Sequence, residues 1–597
     1  MSAITRRQRI LTTDEMVSWA GGILVLIAAA VFGVWAWGNH LEGLPTQGAV
    51  RQVFQGQAQW TDTHTRVAAY AVAAVAAVLL ALWAVDRTIW GPRKPITRAQ
   101  RIRETIAQKE DVKDLTRKGR ERAAQRTGGP GAIFFLGYLG RSRTRLYFGH
   151  EDTGVVYTGP RWNKSTSTAE PAIIESPGPV VATSNKPDVV AETMDYRSGP
   201  VYIFDPQNIY QGPNPTPMYW DPLSYISRAP SVQMVEKATT LAQRFIFASG
   251  GTSQTDPHWG NAARDIMGAL MLAAAIDTRQ RTILDVFRWV MSPGNTEPVN
   301  VLAADGRFPL VRDQLDEYAH HNERTRSSEY GAAQTILGFL AHDTVRPWVT
   351  PSRDRVPFYP DMVTTGTPTL YLLSREGAAS TGALTAALTA AVYEAARDEA
   401  LSQGGRLGVP MVMVLDEIAN VCRWEELPDL YTHMGSQGIL PISLFQSYTQ
   451  AKHIWGPERA ALLLSVCSVL IAGGNVKGDS FHEGIAHMVG KYTRTSVSES
   501  WSKGTRSTTR TNVEEETVSV ADLRKLPRQY SLMFTGGVSA IILRHVPRWR
   551  RRYKKVTRTQ ATTATAPVVH RDYAPGVNPA PRRASGWGQR LSMEDQA

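Results

Sequence analysis

Val412-Met413-Val414-Leu415-Asp416-Glu417 is the stretch that decides the fold. A short, continuous apolar run of this kind reads as a strand buried on both faces. Its stop at Asp-Glu sets two carboxylates at the carboxyl edge of a parallel sheet, where ligands bind in such folds. In a P-loop ATPase the first acid holds the hydration shell of Mg²⁺ and the second polarises the attacking water. A strand that merely happens to end at acidic residues is the other reading, and the motif alone leaves both open.

Working outward, further buried strands are expected at Ala132-Leu139, Thr153-Thr158, Pro179-Thr183, Pro200-Phe204, Thr369-Leu373, Leu440-Phe445 and Val466-Ile471. A long alanine-rich helix, Thr381-Ala400, precedes the Asp-Glu strand. Strands separated by helices imply an α/β fold with a parallel sheet covered on both faces. Residues 231–350 change character: Ala262-Ile276 and Ile283-Met291 show helical spacing, and strand-like runs are few. An all-alpha domain inserted in the α/β domain is expected there, which divides the latter into 132–230 and 351–560. Residues 561–597 are rich in Thr, Ala, Pro and Arg and read as a disordered tail.

A phosphate-binding partner for the Asp-Glu strand must lie upstream, after an early strand. Val155-Val156-Tyr157 runs into Thr158-Gly159-Pro160-Arg161-Trp162-Asn163-Lys164-Ser165. The Lys-Ser ending is that of a phosphate-binding loop, but the pattern places glycine six residues and one residue before the lysine. Those positions hold Thr158 and Asn163. Glycine serves such loops because their N–H groups wrap the phosphates at unusual backbone angles with no Cβ in the way. Asn tolerates positive φ better than most replacements. Spacing alone leaves open a functional cradle or a chance Lys-Ser.

The N-terminal region has a different chemistry. Val17-Trp37 and Val67-Val85 are uncharged runs of 21 and 19 residues, each long enough to cross a hydrocarbon core about 30 Å thick. Arg6, Arg7 and Arg9 precede the first run, and Arg87, Arg93, Lys94, Arg98, Arg101 and Arg103 follow the second. The positive-inside rule then places both termini in the cytoplasm. The expected order is a cytoplasmic tail 1–16, a two-span anchor 17–90 in the inner or plasma membrane, and a basic juxtamembrane segment 91–131. The two cysteines, Cys422 and Cys467, lack metal-ligand spacing and suit a reducing cytoplasm.

The formal net charge of +12 is modest for 597 residues, so its placement matters more than its sum. Residues 544–558 carry eight Arg or Lys and no acid, with Trp549 and Tyr553 interleaved. Cations beside stacking surfaces suit single-stranded nucleic acid, which makes Arg548, Arg550, Arg551, Arg552, Lys554 and Lys555 candidate contacts. A solvated basic run, or one touching anionic lipid, is the alternative.

Taken in order, these segments resemble the type IV secretion coupling proteins, the VirD4/TraG/TraD group, especially forms carried by actinobacterial conjugative elements. The likeness runs through the twin N-terminal runs, Thr158-Ser165, Pro177-Gly178-Pro179-Val180-Val181-Ala182-Thr183-Ser184-Asn185-Lys186-Pro187-Asp188, and Val201-Tyr202-Ile203-Phe204-Asp205-Pro206-Gln207. It continues through the helical region beginning near His258-Trp259, Asp416-Glu417, and Gln446-Ser447-Tyr448-Thr449-Gln450. The resemblance implies a RecA-like P-loop NTPase domain with an inserted all-alpha domain and two transmembrane helices. It also implies assembly as a homo-hexamer on the lipid bilayer, with delivery of relaxase-bound single-stranded DNA to a type IV secretion channel.

By position it implies ATP and Mg²⁺ as cofactors, with the loop Thr158, Gly159, Pro160, Arg161, Asn163, Lys164 and Ser165 as the cradle. Ser165 and Asp416 would ligate the metal, while Glu417 and Gln446 would serve hydrolysis. Family members commonly carry arginines shortly before that glutamine, where this chain has Gly435-Ser436-Gln437. The departures leave two rivals: a catalytically degenerate substrate receptor of the same system, and a related DNA or protein translocation motor.

Overall fold

The computed structural model describes residues 33–43, 55, 61–85, 106–160, 162–250, 257–377, 381–474, 479–502 and 505–556. The chain divides into two compact units, Met1–Ala99 and Gln100–Ala597. In the first, a helical stretch at 33–41 is joined to the helix Asp62–Val85 by a 2.9 Å bond between the His64 ring and Asn39 Oδ1. That helix contains the second predicted span, but side chains 82–85 lie outside the described residues. The first span, Val17-Trp37, falls almost wholly outside them, as does the tail 561–597. Among the described residues no helix is long and apolar enough to cross a membrane.

The second unit is built on strands, in chain order β1 (Ala132–Leu139), β2 (Arg145–Gly149), β3 (Gly154–Tyr157), β4 (Val180–Ser184) and β5 (Val201–Phe204). Two short strands follow, β6 (Met218–Tyr219) and β7 (Val356–Pro357), then β8 (Thr369–Leu373), β9 (Met411–Asp416), β10 (Ile439–Phe445) and β11 (Val469–Gly473). The last are β12 (Lys491–Ser502), β13 (Thr505–Glu516), β14 (Tyr530–Thr535) and β15 (Val538–His545). Eleven of them form one sheet in the order β2-β1-β15-β14-β11-β3-β10-β9-β4-β8-β5. From β11 to β5 every neighbouring pair is parallel. From β11 outward to β2 every pair is antiparallel. All the strands expected from apolar runs occur, but Ala132-Leu139 belongs to the antiparallel wing.

The parallel core is apolar on both faces because helices cover both. All six residues of β9 and all seven of β10 are buried. Along β9, Met411, Met413 and Leu415 join one hydrophobic cluster while Val412 and Val414 join the other, the period of two that a strand imposes. The helix Gly382–Ser402 contributes to the first cluster, as do helices Met234–Ala248 and Pro257–Ile276. Between β6 and β7 the chain is mainly helical from Ser224 to Val349.

A buried ion cluster ties that helical region to the sheet domain. Arg244 on Met234–Ala248 lies 2.5 Å from Glu394 of Gly382–Ser402 and 3.2 Å from Glu426, and Lys237 also pairs with Glu394. These cations hold the Glu394 carboxyl below its usual range despite burial. A separate two-stranded ribbon, β12–β13, pairs Lys491 with Glu516 through to Ser502 with Thr505.

Candidate nucleotide site

The sheet order explains how distant segments meet. β3 lies between β11 and β10, and β9 lies beyond β10, so a loop leaving β3 spans the carboxyl ends of its neighbours. Parallel pairing aligns those ends: Tyr157 is opposite Phe445, and Leu444 opposite Asp416. The loop 158–165 therefore starts beside the residue preceding Gln446 and reaches the end of β9.

Five sequence-predicted side chains converge there. Lys164 Nζ donates to Glu417 Oε1 at 2.5 Å and lies 3.5 Å from Asp416 Oδ1. Ser165 Oγ donates to Asp416 Oδ2 at 3.0 Å. Gln446 Nε2 donates to the same Glu417 oxygen at 2.7 Å. From β4, Thr183 Oγ1 donates to the Asp416 carbonyl at 3.1 Å. Asp416 and Glu417 are 4% and 3% exposed, so two adjacent carboxylates share a site nearly closed to water. Burial pushes the Asp416 carboxyl up; Lys164 draws it back, and Glu417 raises it further.

The backbone is shaped for this convergence. Asn163 has φ 60° and Glu417 has φ 52°, a left-handed conformation that non-glycine residues adopt rarely and mostly where function demands it. Asn163 thus holds the conformation that glycine would supply one residue before the lysine. After it, Ser165–Ala169 forms a wide π turn leading into the helix Glu170–Glu175. Ser167 N donates to the Asn163 carbonyl at 2.9 Å.

The first half of the loop has other partners. Thr158 N donates to the Phe445 carbonyl and Gly159 N to the Gly474 carbonyl, and Pro160 has no N–H to offer. Among the described residues of the loop, the backbone donors left for an anion are therefore those of Trp162 through Ser165. Arg161 lies outside the described residues.

At Gly435, before β10, a Cβ would fall 2.2 Å from the Glu151 carbonyl oxygen. This backbone leaves no room for an arginine there.

The basic segment after β15 is arranged otherwise. Arg551 donates to Glu175 Oε1 at 2.8 Å, to the Phe135 carbonyl at 2.7 Å and to the Ser167 carbonyl at 3.3 Å. Its guanidinium also lies 4.8 Å from the Phe135 ring. Arg548 donates to Glu170 at 2.8 Å and pairs with Glu192. Lys555 donates to Asp195 at 2.9 Å. Three of the six cations expected to face nucleic acid are thus engaged within the molecule, because the segment runs back over the helix that follows the loop. Arg550, Arg552 and Lys554 stand exposed. Sequence reading missed this clamp; Glu170, Glu175, Glu192 and Asp195, spaced along the opposite segment, were its only signal.

Residues 410–528, which hold both acids, Gln446, β10, β11 and the ribbon, match the family described as the TraM recognition site of TraD and TraG. Over those residues the chain is similar to the coupling proteins TraD and TraG of type IV secretion.

Among solved structures, the bacterial conjugative coupling protein TrwBΔN70 in its unbound monoclinic form is 16% identical, with a TM-score of 0.50. The match covers 73% of this chain and 92% of that one. TrwB in complex with the non-hydrolysable GTP analogue GDPNP is 15% identical, covering 73% and 93%, again with a TM-score of 0.50. At these identities the coupling-protein structures share the α/β architecture with this chain. No curated protein matches it by sequence.

Proposed function

We propose that the chain is a membrane-anchored coupling ATPase that recruits relaxase-bound single-stranded DNA and delivers it to a conjugative type IV secretion channel. The observation that carries the reading is the meeting of Lys164, Ser165, Asp416, Glu417 and Gln446 at one sheet edge, Lys164 and Glu417 being 253 residues apart in the chain.

The donor set fits a magnesium-bound triphosphate. Ser165 Oγ and the Asp416 carboxylate are adjacent hard oxygens of the kind Mg²⁺ takes. Lys164 brings a half-buried positive charge for the β/γ phosphates. Bound nucleotide would supply the phosphoanhydride whose cleavage drives movement. Glu417, held in place by Gln446, orients water and accepts its proton; Gln446 reports whether that carboxylate is in position. TrwB, with the same architecture, holds a nucleotide analogue.

Membrane attachment rests on the two apolar runs and their arginine flanks. A homo-hexamer would complete each site from a neighbouring copy.

Purified full-length protein in detergent is expected to bind ATP in a Mg²⁺-dependent way and to hydrolyse it faster with single-stranded DNA. Lys164→Ala should weaken binding strongly, and Glu417→Gln should lower turnover while largely keeping binding. Wild-type protein that binds no nucleotide would end this reading. One observation favours a second: Gly159 N–H is already bonded and Gly435 excludes arginine, as expected of a receptor that binds nucleotide without turning it over. Binding without hydrolysis, even with DNA and in the assembled state, would select it.

A further inference from the structure

The loop lacks glycine where phosphate loops need it, yet two glycines stand directly across from it. Gly473 ends β11, and Gly474 follows. A Cβ at Gly473 would lie 2.6 Å from Thr158 Cγ2 and 2.8 Å from Trp162 Nε1. A Cβ at Gly474 would lie 2.6 Å from Trp162 Cη2 and 3.0 Å from the Leu523 carbonyl oxygen. The indole is rigid and Thr158 is β-branched, so neither can swing aside cheaply.

We infer that Trp162 is a positioning residue of the nucleotide site, seated on the side-chain-free surface of Gly473-Gly474, and that this seat does for the loop what its missing glycines would. The inference rests on the reading of Lys164 as a phosphate ligand.

The geometry gives the mechanism. Trp162 and Thr158 are 6% and 2% exposed. Gly159 N–H is bonded to the Gly474 carbonyl at 3.3 Å, so the loop's first half is fastened to β11 by packing and by backbone. Between Trp162 and Lys164, the left-handed turn at Asn163 separates the two side chains. One is fixed over β11, and the other reaches across β10 to the acids ending β9. A glycine loop would be free to sample many backbone states; this loop has one end pinned, which lowers the ordering cost of presenting Lys164. The Trp162 Nε1–H and Thr158 Oγ1 have no hydrogen-bond partner among the described residues. Shape therefore holds the indole, not a polar bond.

The test uses full-length protein and two readouts. The first is the rate of tryptic cleavage at Lys164–Ser165 in nucleotide-free protein, followed by peptide mass. The second is Mg²⁺-dependent affinity for a fluorescent ATP analogue. Gly474→Ala and Trp162→Ala should each raise cleavage about tenfold or more and weaken binding by a similar factor, both read well below each variant's melting temperature because loss of a buried indole itself lowers stability. Trp162→Phe, which keeps a flat ring in the seat, should restore both. The double variant Trp162→Ala/Gly474→Ala should fall well short of additivity, because the contacts with the indole disappear and only the 3.0 Å approach to the Leu523 carbonyl oxygen remains.

Trp162→Ala with wild-type cleavage and wild-type affinity would overturn the inference, as would additive effects in the double variant. If wild-type protein binds no nucleotide, the proposed function fails by itself; the seat is then still decided by cleavage.

Discussion

Two basic elements of this chain look equally functional as sequence and differ completely as structure. Lys164 sits in a loop with a damaged pattern, yet it meets two buried acids and a glutamine from far along the chain. Residues 544–558 form a dense cationic run with interleaved aromatics, yet Arg548, Arg551 and Lys555 are bonded to acids within the same domain. Charge density states how much potential is available; topology states whether it is already neutralised. A lysine delivered by a parallel sheet to a pair of carboxylates can exchange them for a ligand, whereas an arginine bonded by Glu175 and three carbonyls is fixed.

The largest effects should come from the sheet edge. Lys164→Ala should weaken Mg²⁺-dependent nucleotide binding by 100-fold or more, measured by equilibrium titration. Glu417→Gln should keep binding within a fewfold and lower turnover by about 100-fold. If both substitutions reduced affinity equally, Glu417 would be a binding group and the division of labour between the two acids would be wrong.

The clamp should show itself in stability. Arg551 is nearly buried and has four acceptors on three segments, so Arg551→Ala leaves Glu175 without its cation and should cost about 3 kcal/mol. Denaturant unfolding measures this, and Arg551→Lys should not rescue it, since one ammonium cannot reproduce the fork. Because Arg551 also bonds the Ser167 carbonyl, a parallel loss of nucleotide affinity would show that the clamp supports the turn behind Ser165.

A smaller effect distinguishes the antiparallel wing. His545 on β15 is buried against Ser531 Oγ at 2.8 Å, and burial, with Arg551 nearby, lowers its pKa from 6.5 to about 4. The folded protein thus binds this proton less readily than the unfolded chain. Stability is lost as pH falls from about 6.5 to about 4, by about 3 kcal/mol in full and far less near neutrality. His545→Gln should flatten that part of the pH–stability curve.

The parallel core was legible because burial on both faces forces near-continuous apolar runs such as Met411–Leu415 and Ile439–Phe445. β2 and β15 were not, since strands at 145–149 and 538–545 mix arginine, glycine and serine with apolar residues on a partly exposed wing. Nor was the ribbon β12–β13, whose sequence is mostly Ser, Thr and charged residues with no apolar face to reveal its period. At the site, residue types were legible and compensation was not. Nothing in Gly473-Gly474 announces that it answers Trp162, because the contact arises only when β11 is placed beside β3. The same limit hid the acids that hold Arg548 and Arg551.

The weakest effect is also the one that decides what the basic segment is for. Arg550, Arg552 and Lys554 are exposed, so replacing Arg550 and Arg552 with alanine should change stability by no more than about 0.5 kcal/mol each. If the exposed set contacts phosphates, each loss should reduce the salt dependence of single-strand affinity by about one unit of slope. Arg548→Ala would behave oppositely, lowering stability through Glu170 while leaving the slope unchanged, because a cation already paired releases no counterion when a strand arrives. Equal slopes for Arg548→Ala and Arg550→Ala would mean that the Glu170 pair opens on binding. A flat response in both would leave the segment as a clamp alone, its charge balanced by Glu170, Glu175, Glu192 and Asp195.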